Sequence, residues 1–305
     1  MSAHLLNPII VHQDTKLFRE SVLYTASMTG LNAALIEKDY YCSLLLSYVY
    51  RFEKTPLVFR GGTCLSKIHA DFYRLSEDLD FTISTNPNIS RSIRSKSVKP
   101  FKEELKQLTK EFPGLELVNE LKGHYESRQY IASISYASTI TDQPAIIKID
   151  IGLREPLLLH PTLGRVRTLL INPLTKSPPV SEFQVACMAI EEAYAEKIRA
   201  ALTRRPPAIR DFYDVYYAVQ NLGIKLNNRQ FLELVMNKLS VPGNDPIDLS
   251  PSRREILHEQ IDTQLNAVLR RQDFERFDLD QAFDLIANIG ANLQAENLKD
   301  TLNKR

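Results

Sequence analysis

The sequence has few cysteines and no spacing that would join them. Cys42, Cys64 and Cys187 are the only three in 305 residues, and they form neither a C-x-x-C pair nor a cysteine–histidine series. An odd and widely scattered set is not typical of a disulfide framework or of a zinc site. We therefore expect three reduced thiols and no structural metal held by sulfur.

Charge of one sign and long apolar runs are also missing. Lysine and arginine total 38 against 37 for aspartate and glutamate, so any basic surface must be local. No window approaches 18 uncharged apolar residues, and the first ten residues, MSAHLLNPII, lack the regions of an export signal. These absences predict a cytoplasmic protein with no membrane partner.

Several nucleotide-binding and metal-binding signatures do not occur. The sequence contains neither G-x4-G-K-[ST] nor G-x-G-x-x-G, and its six histidines show no H-E-x-x-H spacing. A P-loop fold, a dinucleotide-binding Rossmann fold and a zincin protease are therefore excluded.

The hydrophobic pattern predicts an α+β protein in three parts. Residues 1–55 show helical spacing and form a lead-in of two helices that separate near Gly30. Residues 56–172 contain short β-type runs, among them DLDFTI, QYIASISYA and AIIKIDIGL, with a short helical segment from Cys64 to Ala70 and a helix over 93–112. This pattern predicts a mixed-sheet core with flanking helices.

Residues 180–305 are predicted to form a helical carboxy-terminal domain. Ser181 has the position of an N-cap for a long helix that runs to Thr203. Further helices are expected after Pro207, after Asn228 and from Ser252 onward. We expect this domain to complete an active-site cleft with the sheet core, since ligand sites often lie between domains.

Acidic residues alternate with apolar ones on two predicted strands. In DLDFTI, Asp78 and Asp80 share one strand face, and Asp150 has the same relation to AIIKIDIGL. Mg²⁺ prefers oxygen ligands, and two ions need more ligands than two side chains offer. Asp78, Asp80 and Asp150 are therefore predicted ligands for Mg²⁺ or Mn²⁺, although an isolated Asp-x-Asp pair is common on exposed strands.

A double-glycine turn precedes the acidic strand. Gly61 and Gly62 allow the backbone to approach a phosphate, and the Thr63 hydroxyl can donate to it. Ser76 precedes Asp78 by two residues and is expected to share its strand face, where it could bind a triphosphate. The alternatives are an ordinary strand-to-helix turn and a hydroxyl that steadies the start of the strand.

Together these motifs resemble a known family. FRGGTCLSKI followed by RLSEDLDFTI resembles the AbiEii/AbiGii toxin-like nucleotidyltransferases of the DNA-polymerase-β-like superfamily. EEAYAEKIRAAL and RDFYDVYYAV are similar to the later motifs of that family, so the resemblance covers about residues 57–220. It implies Mg²⁺-dependent transfer of a nucleotide from an NTP to an acceptor by a type IV toxin that has a cognate antitoxin. Some relatives modify tRNA acceptor ends, so the 3′ end of tRNA is the expected acceptor.

Two residues of the helical region become candidates through this resemblance. Lys197 occupies a position where helical periodicity predicts an apolar residue, on a stripe with Phe183, Ala186, Ile190, Tyr194 and Ala201. Its ammonium could contact the triphosphate; alternatively it reaches past the core edge or pairs with Glu192 or Glu196. The family motif favours the first role, and makes Asp211 a catalytic candidate with Arg210 and Asp214 as a supporting pair.

Basic residues form two local clusters that could bind RNA phosphates. Lys99, Lys102 and Lys106 lie on one predicted helix, and Arg204 and Arg205 precede another. Three other functions remain open: a transferase with a protein acceptor, a catalytically silent nucleotide- or RNA-binding module, and a DxD glycosyltransferase. The last would need a Rossmann-like nucleotide-binding half and has no use for the GGT turn.

Overall fold

The computed structural model describes residues 11–51 and 55–303. The first ten residues, where the sequence predicts no export signal, lie outside the described residues. The chain divides into two compact units, with the boundary between Met188 and Ala189. No helix within the described ranges combines the length and apolar character needed to cross a membrane.

The first unit begins with two helices and contains three more. In chain order they are α1 (Thr15–Thr29), α2 (Ala33–Tyr50), α3 (Gly61–Cys64), α4 (Arg91–Leu105) and α5 (Leu108–Glu111). A 3-10 turn, Val11–Gln13, precedes α1, and a π-helical turn, Leu65–His69, follows α3. Gly30 ends α1 in the left-handed conformation, and the Asn32 side chain caps α2. The predicted separation near Gly30 is therefore confirmed.

Seven strands of this unit form one mixed sheet. They are β1 (Val58–Arg60), β2 (Leu79–Thr82), β3 (Leu115–His124), β4 (Gln129–Ala137), β5 (Pro144–Gly152), β6 (Thr162–Val166) and β7 (Phe183–Cys187). Their order across the sheet is β3-β4-β5-β2-β1-β7-β6. The pairs β2–β5 and β1–β7 are parallel, and the others are antiparallel. The predicted α+β class, with a mixed sheet, flanking helices and a helical carboxy-terminal region, is confirmed.

One face of the central strands belongs to the apolar core. Leu79 and Phe81 of β2 and Ile149 of β5 are fully buried and join one cluster with side chains of α1, α2 and α4. Burial of each such side chain contributes about 1.5–3 kcal/mol. Since side chains alternate along a strand, Asp80 and Asp150 are directed to the opposite face.

Three predicted elements differ from the structure. The helix predicted from Ser181 is wrong, because β7 occupies Phe183–Cys187 and the helix begins at Ile190. The alternating run FQVAC is too short for its two-residue period to be separated from a helical one. The helix over 93–112 is divided into α4 and α5, and the helical segment predicted to start at Cys64 begins at Gly61.

The second unit is helical. It contains α6 (Ile190–Thr203), α7 (Ile209–Asn221), α8 (Arg229–Leu239), α9 (Pro251–Gln260), α10 (Arg271–Arg276) and α11 (Leu279–Asn303), with a π-helical turn, Ile261–Leu265, after α9. Asn228 caps α8 by accepting a hydrogen bond from the Phe231 amide at 2.8 Å. Ser250, the residue immediately before α9, caps that helix. The helices predicted after Pro207, after Asn228 and near Ser252 are confirmed.

Candidate functional site

Two predicted carboxylates lie side by side on neighbouring strands. Asp80 of β2 and Asp150 of β5 are direct partners in the parallel register. Arg60 of β1 is the partner of Asp80 on its other side. Adjacent strands are about 4.8 Å apart, and partners in register share a sheet face. The sheet therefore places Asp80 between a basic and an acidic residue.

Asp78 joins the two strand carboxylates from the residue before β2. Its Oδ1 accepts a hydrogen bond from the backbone amide of Lys148 at 3.4 Å. Lys148 lies within the influence of all three carboxylates, because the charges of Asp150, Asp78 and Asp80 all act on it. Burial lowers the pKa of Lys148, but its hydrogen bond to Asp150 and these three charges outweigh burial and raise it. Lys148 thus contacts Asp78 through its backbone amide and Asp150 through its ammonium, and Asp80 is paired in register with Asp150.

Asp150 has one oxygen engaged and one available to a cation. Its Oδ2 accepts hydrogen bonds from Gln129 Nε2 at 2.6 Å and from Lys148 Nζ at 3.0 Å. Its Oδ1 is buried and has no hydrogen-bond partner within the described part of the chain. A buried carboxylate oxygen without a partner carries a desolvation cost that a bound cation would remove. The donor set of three carboxylates therefore fits a hard divalent ion such as Mg²⁺.

The double-glycine turn is pressed against this acidic site. Gly61 has φ +77°, and a Cβ on it would lie 2.3 Å from Asp80 Oδ2. A Cβ on Gly62 would lie 2.6 Å from Arg74 Nη2 and 3.0 Å from Ser76 Oγ. A side chain at Gly61 would displace Asp80, and one at Gly62 would displace the Arg74 guanidinium. The two glycines therefore hold the start of α3 next to Asp80 and Ser76.

Two predictions about hydroxyl groups need revision. Ser76 does not lie on the strand, because β2 begins at Leu79, so the argument from a shared strand face was wrong. Its side chain nevertheless lies beside Gly62. The Thr63 hydroxyl donates to the carbonyl oxygen of Asp78 and ties the turn to the entry of β2. A binding role for either hydroxyl stays a prediction.

Lys197 and the acidic residues of α7 form a second cluster, within the helical unit. Lys197 Nζ lies 2.9 Å from Asp211 Oδ1 and 2.8 Å from Asp214 Oδ2. Arg204 Nη1 lies 3.0 Å from Asp211 Oδ2. Burial raises the pKa of Asp211, but the charges of Lys197 and Arg204 outweigh it and hold the pKa below its usual value. Four charged groups thus balance one another in a largely buried cluster.

The structure corrects part of the reasoning about Lys197. Phe183 and Ala186 lie in β7, so the helical stripe begins only at Ile190. Glu192 and Glu196, the alternative partners, pair instead with Lys238, at 2.6 and 3.3 Å from its Nζ.

Asp214, which was predicted to support Asp211 together with Arg210, contacts Lys197, and its pairing with Arg210 stays a prediction. Asp214 is three residues after Asp211 on the same helix face, a spacing that could have indicated the shared partner.

The predicted RNA-binding residues fall into two environments. Lys99 and Lys102 line a groove of about 480 Å³ between α4 and the end of β3, together with Arg91, Lys96 and Lys122. Lys102 and Lys106 each lie within 3.8 Å of Glu120. In the helical unit, Arg204 pairs with Asp211, and Arg205 lies 4.0 Å from Asp248.

Four further residues of the site were not predicted: Arg60, Arg74, Gln129 and Lys148. Lys148 shares the alternating face of Asp150, and this spacing was visible in the sequence. Gln129 is brought to Asp150 by the antiparallel β4–β5 pair, which a one-strand pattern does not reveal. Arg74 is almost fully buried next to the glycine turn, and its burial has no sequence signal.

Comparison with known proteins assigns the chain to a class of nucleotidyl transferases. The family model described as "Nucleotidyl transferase AbiEii toxin, Type IV TA system" matches residues 43–288. Because the match covers most of the chain, the protein belongs to the AbiEii family of nucleotidyl transferase toxins of type IV toxin–antitoxin systems. The resemblance identified from the sequence motifs is therefore confirmed.

Two solved structures from Helicobacter pylori are similar to the chain. JHP933 has 16% sequence identity and a TM-score of 0.45, and the match covers 90% of this chain and 100% of JHP933. A protein provisionally described as a nucleotidyltransferase has 16% identity and a TM-score of 0.43, over 84% of this chain and 94% of its own. No curated protein matches the sequence.

Proposed function

We propose that the sheet unit carries the catalytic site for transfer of a nucleotide from an NTP to an acceptor hydroxyl, with release of pyrophosphate. Asp78, Asp80 and Asp150 are the proposed ligands of two Mg²⁺ or Mn²⁺ ions. The observation that supports this most is the parallel register of Asp80 with Asp150, with a buried oxygen of Asp150 left without a hydrogen-bond partner in the described chain. Two-metal chemistry needs carboxylates that converge in this way.

Each protein group then has a defined task. When bound, the ions supply activation of the acceptor hydroxyl and neutralisation of charge on the leaving pyrophosphate. Gln129 fixes the orientation of Asp150 by donating to Oδ2. Lys148 adds a positive charge next to the carboxylates. Thr63 fixes Asp78 through its backbone carbonyl, so the acidic residues keep their spacing.

The proposed nucleotide-binding groups are Gly61, Gly62, Thr63 and Ser76. The glycine turn lies against Asp80, so a phosphate held there would be close to the proposed ions. Lys197 and Asp211 are proposed to serve the same reaction, on the basis of the family motif. In the structure, Asp211 and Asp214 hold the Lys197 ammonium in place, which is the arrangement expected for a positioned cation.

The proposed acceptor is RNA, and specifically the 3′ end of tRNA. The groove beside α4 supports this proposal because five basic side chains line or border one depression: Arg91, Lys96, Lys99, Lys102 and Lys122. Such a cluster suits phosphate contacts, which give affinity without sequence specificity. Lys106, Arg204 and Arg205 stay predictions for additional contacts.

The direct test is a transfer assay with Mg²⁺, each α-³²P-labelled NTP and total tRNA, resolved on a denaturing gel. We expect label on tRNA with the wild type and none with Asp80→Ala. Glu116→Ala, which removes an exposed carboxylate from β3, should transfer label normally. Label on protein instead would show a polypeptide acceptor. Absence of label with every NTP would favour a silent binding module, and label only from UDP-sugars would favour a glycosyltransferase.

The RNA-binding groove has its own test. Lys99 and Lys102 line the groove, and Lys106 lies beside it near Glu120, which Lys102 also approaches. Combined reversal of these three lysines to glutamate should weaken tRNA binding and reduce its dependence on salt concentration, because fewer counterions are released. Reversal of three exposed lysines that do not line the groove, Lys16, Lys176 and Lys225, changes net charge equally. If both triple variants bind tRNA alike, the groove is not the acceptor site.

The toxin assignment predicts a protein partner and a cellular effect. A toxin of a toxin–antitoxin system has a cognate antitoxin, which is the proposed partner. Expression of the wild type should arrest bacterial growth, whereas Asp80→Asn should not. If both proteins arrest growth at equal abundance, toxicity does not depend on the proposed chemistry.

A further inference from the structure

Two of the three cysteines, which are far apart in the sequence, lie together in the sheet unit. Cys64 is the last residue of α3, and Cys187 is the last residue of β7. Parallel pairing of Phe59 in β1 with Cys187 brings β7 next to the strand that leads into the glycine turn. The spacing of the cysteines in the sequence did not indicate that these two thiols lie together.

A histidine completes the group. His69 ends the π-helical turn that follows α3, and one ligand atom from each of Cys64, His69 and Cys187 lies within 4.8 Å of the other two. In a tetrahedral zinc site, with Zn–S near 2.3 Å and Zn–N near 2.0 Å, neighbouring ligand atoms are about 3.3–3.8 Å apart. Shifts of about 1 Å would bring the three atoms into range of one ion.

The hydrogen bond of His69 is the kind found in metal sites. Its Nε2 lies 3.0 Å from the carbonyl oxygen of Met188, which can only accept, so Nε2 carries the proton. The neutral ring then presents the Nδ1 lone pair. Ligating histidines almost always donate their other N–H to a carbonyl or carboxylate, which fixes the ring orientation.

The thiols lie at the apolar core, but they also have polar neighbours. Both are buried, yet Thr162 Oγ1 lies 3.3 Å from Cys187 Sγ. Hydrogen bonding from Cys64 lowers the pKa of Cys187 to about 5, with help from His69 and Thr162 and against the effect of burial. A Cβ on Gly164 would lie 2.8 Å from Cys187 Sγ, so that strand leaves room for the sulfur.

We propose that Cys64, His69 and Cys187 bind one thiophilic divalent cation of the Zn²⁺ type, at a site separate from the proposed Mg²⁺ ligands. Two sulfurs and an imidazole nitrogen select Zn²⁺ over Mg²⁺, which requires oxygen. Three protein ligands leave a fourth position for water or another small ligand. The ion joins the end of α3, one residue after Thr63, to the end of β7.

The experiment uses the full-length reduced protein, stripped of metal with a chelator and kept in excess Mg²⁺ so that the carboxylates are occupied. Titration with Co²⁺ should give one equivalent per chain, with thiolate-to-cobalt charge-transfer bands and the intense visible bands of four-coordinate Co²⁺. Added Zn²⁺ should abolish these bands and raise the thermal unfolding midpoint. The readout is independent of transferase activity, so its failure leaves the proposed function standing.

Three substitutions with two controls decide the ligands. His69→Gln, Cys64→Ser and Cys187→Ser should each lose the bands and weaken Zn²⁺ binding by at least about 10-fold. Loss of a group that only supports a ligand already costs about this much, so loss of a ligand should cost no less. Cys42→Ser removes another buried cysteine and should bind normally, as should Asp80→Asn. His69 is only partly buried, so its variant tests the site even if a cysteine variant fails to fold.

Three results would overturn the proposal. The first is a wild-type protein that gives no thiolate charge-transfer band at one equivalent of Co²⁺. The second is equal Zn²⁺ affinity in His69→Gln, Cys187→Ser and Cys42→Ser. The third is a mass lower by two hydrogens, with a Cys64–Cys187 disulfide formed in air and no metal bound by the reduced form, which would show a redox pair instead.

Discussion

Each of the two units brings carboxylates and a lysine together, but the two clusters differ in how fully these groups find partners within the protein. In the helical unit, Lys197 lies between Asp211 and Asp214, and every contact is 3.0 Å or shorter. In the sheet unit, three carboxylates act on Lys148, whose side chain is 41% exposed, and Asp150 Oδ1 has no hydrogen-bond partner in the described chain. The first cluster is satisfied by the protein itself, whereas the second leaves a buried carboxylate oxygen without a protein partner in the described chain, as the proposed cation site requires.

The largest expected effect is on activity in the sheet unit. Asp80→Asn should lower kcat by about 10³-fold or more, because it removes a charge from the proposed metal site. The free energy of unfolding should change by no more than about 1 kcal/mol, since the residue is partly exposed. Single-turnover transfer and urea denaturation measure the two quantities. Equal loss of activity in Glu116→Gln would contradict the assignment.

The largest expected effect on stability is in the helical unit. Lys197→Met leaves Asp211 and Asp214 buried without their shared partner and should lower the free energy of unfolding by about 3 kcal/mol. Lys148→Met should lower it by less than about 1 kcal/mol, because its pair with Asp150 is partly exposed. Urea denaturation followed by circular dichroism compares them. If both substitutions cost the same, the contrast between the clusters is wrong.

The close approach of the glycine turn to Asp80 predicts a smaller but specific effect of substituting Gly61 on kcat. Gly61→Ala should lower kcat by about 10²-fold, because its Cβ would displace Asp80 from its position. Gly30→Ala is the matched control: its φ of +69° is equally unsuited to alanine, but nothing lies within 4 Å of the added atom. Both variants should be destabilised by about 1 kcal/mol, and only Gly61→Ala should lose activity.

The smallest expected effect is the pH dependence of the helical cluster. The pKa of Asp211 is lower in the folded protein than in the unfolded chain, so its ionised form stabilises the fold above about pH 4. This contribution is lost as pH falls through the folded-state pKa. The stability difference between wild type and Asp211→Asn should therefore be constant from neutral pH to about pH 5 and shrink below pH 4. Urea midpoints across this range measure it, and a constant difference would contradict the ion pair.

Local patterns were sufficient to find the acidic site but not its neighbours. Alternation on β2 and β5 predicts that Asp80 and Asp150 avoid the core, because it depends only on adjacent residues. Their direct pairing depends on strand register, which no local pattern specifies and which was not predicted. Lys148 could have been found from the same alternation. Gln129 could not, since only the β4–β5 register brings it to Asp150.

The failure to predict β6 and β7 also reflects the limits of local sequence patterns. β6 and β7 each have five residues, and so short a run does not establish a two-residue period. Because β7 was not predicted, the predicted start of α6 was wrong by nine residues at most. The strand that pairs with β1 on one side was also not predicted. Without β7 beside β1, nothing in the sequence suggests that Cys64 and Cys187 meet.

The strand order also has a consequence for the timing of folding. β1 and β7 are neighbours in the sheet, although the chain between them includes every other strand. Loop closure over such a distance is slow, and β7 leaves the ribosome only after the acidic strands have been made. During synthesis, β1 therefore has an unpaired edge that can associate with other nascent chains. We therefore expect the yield of folded protein to fall when translation of the segment up to Cys187 is slowed.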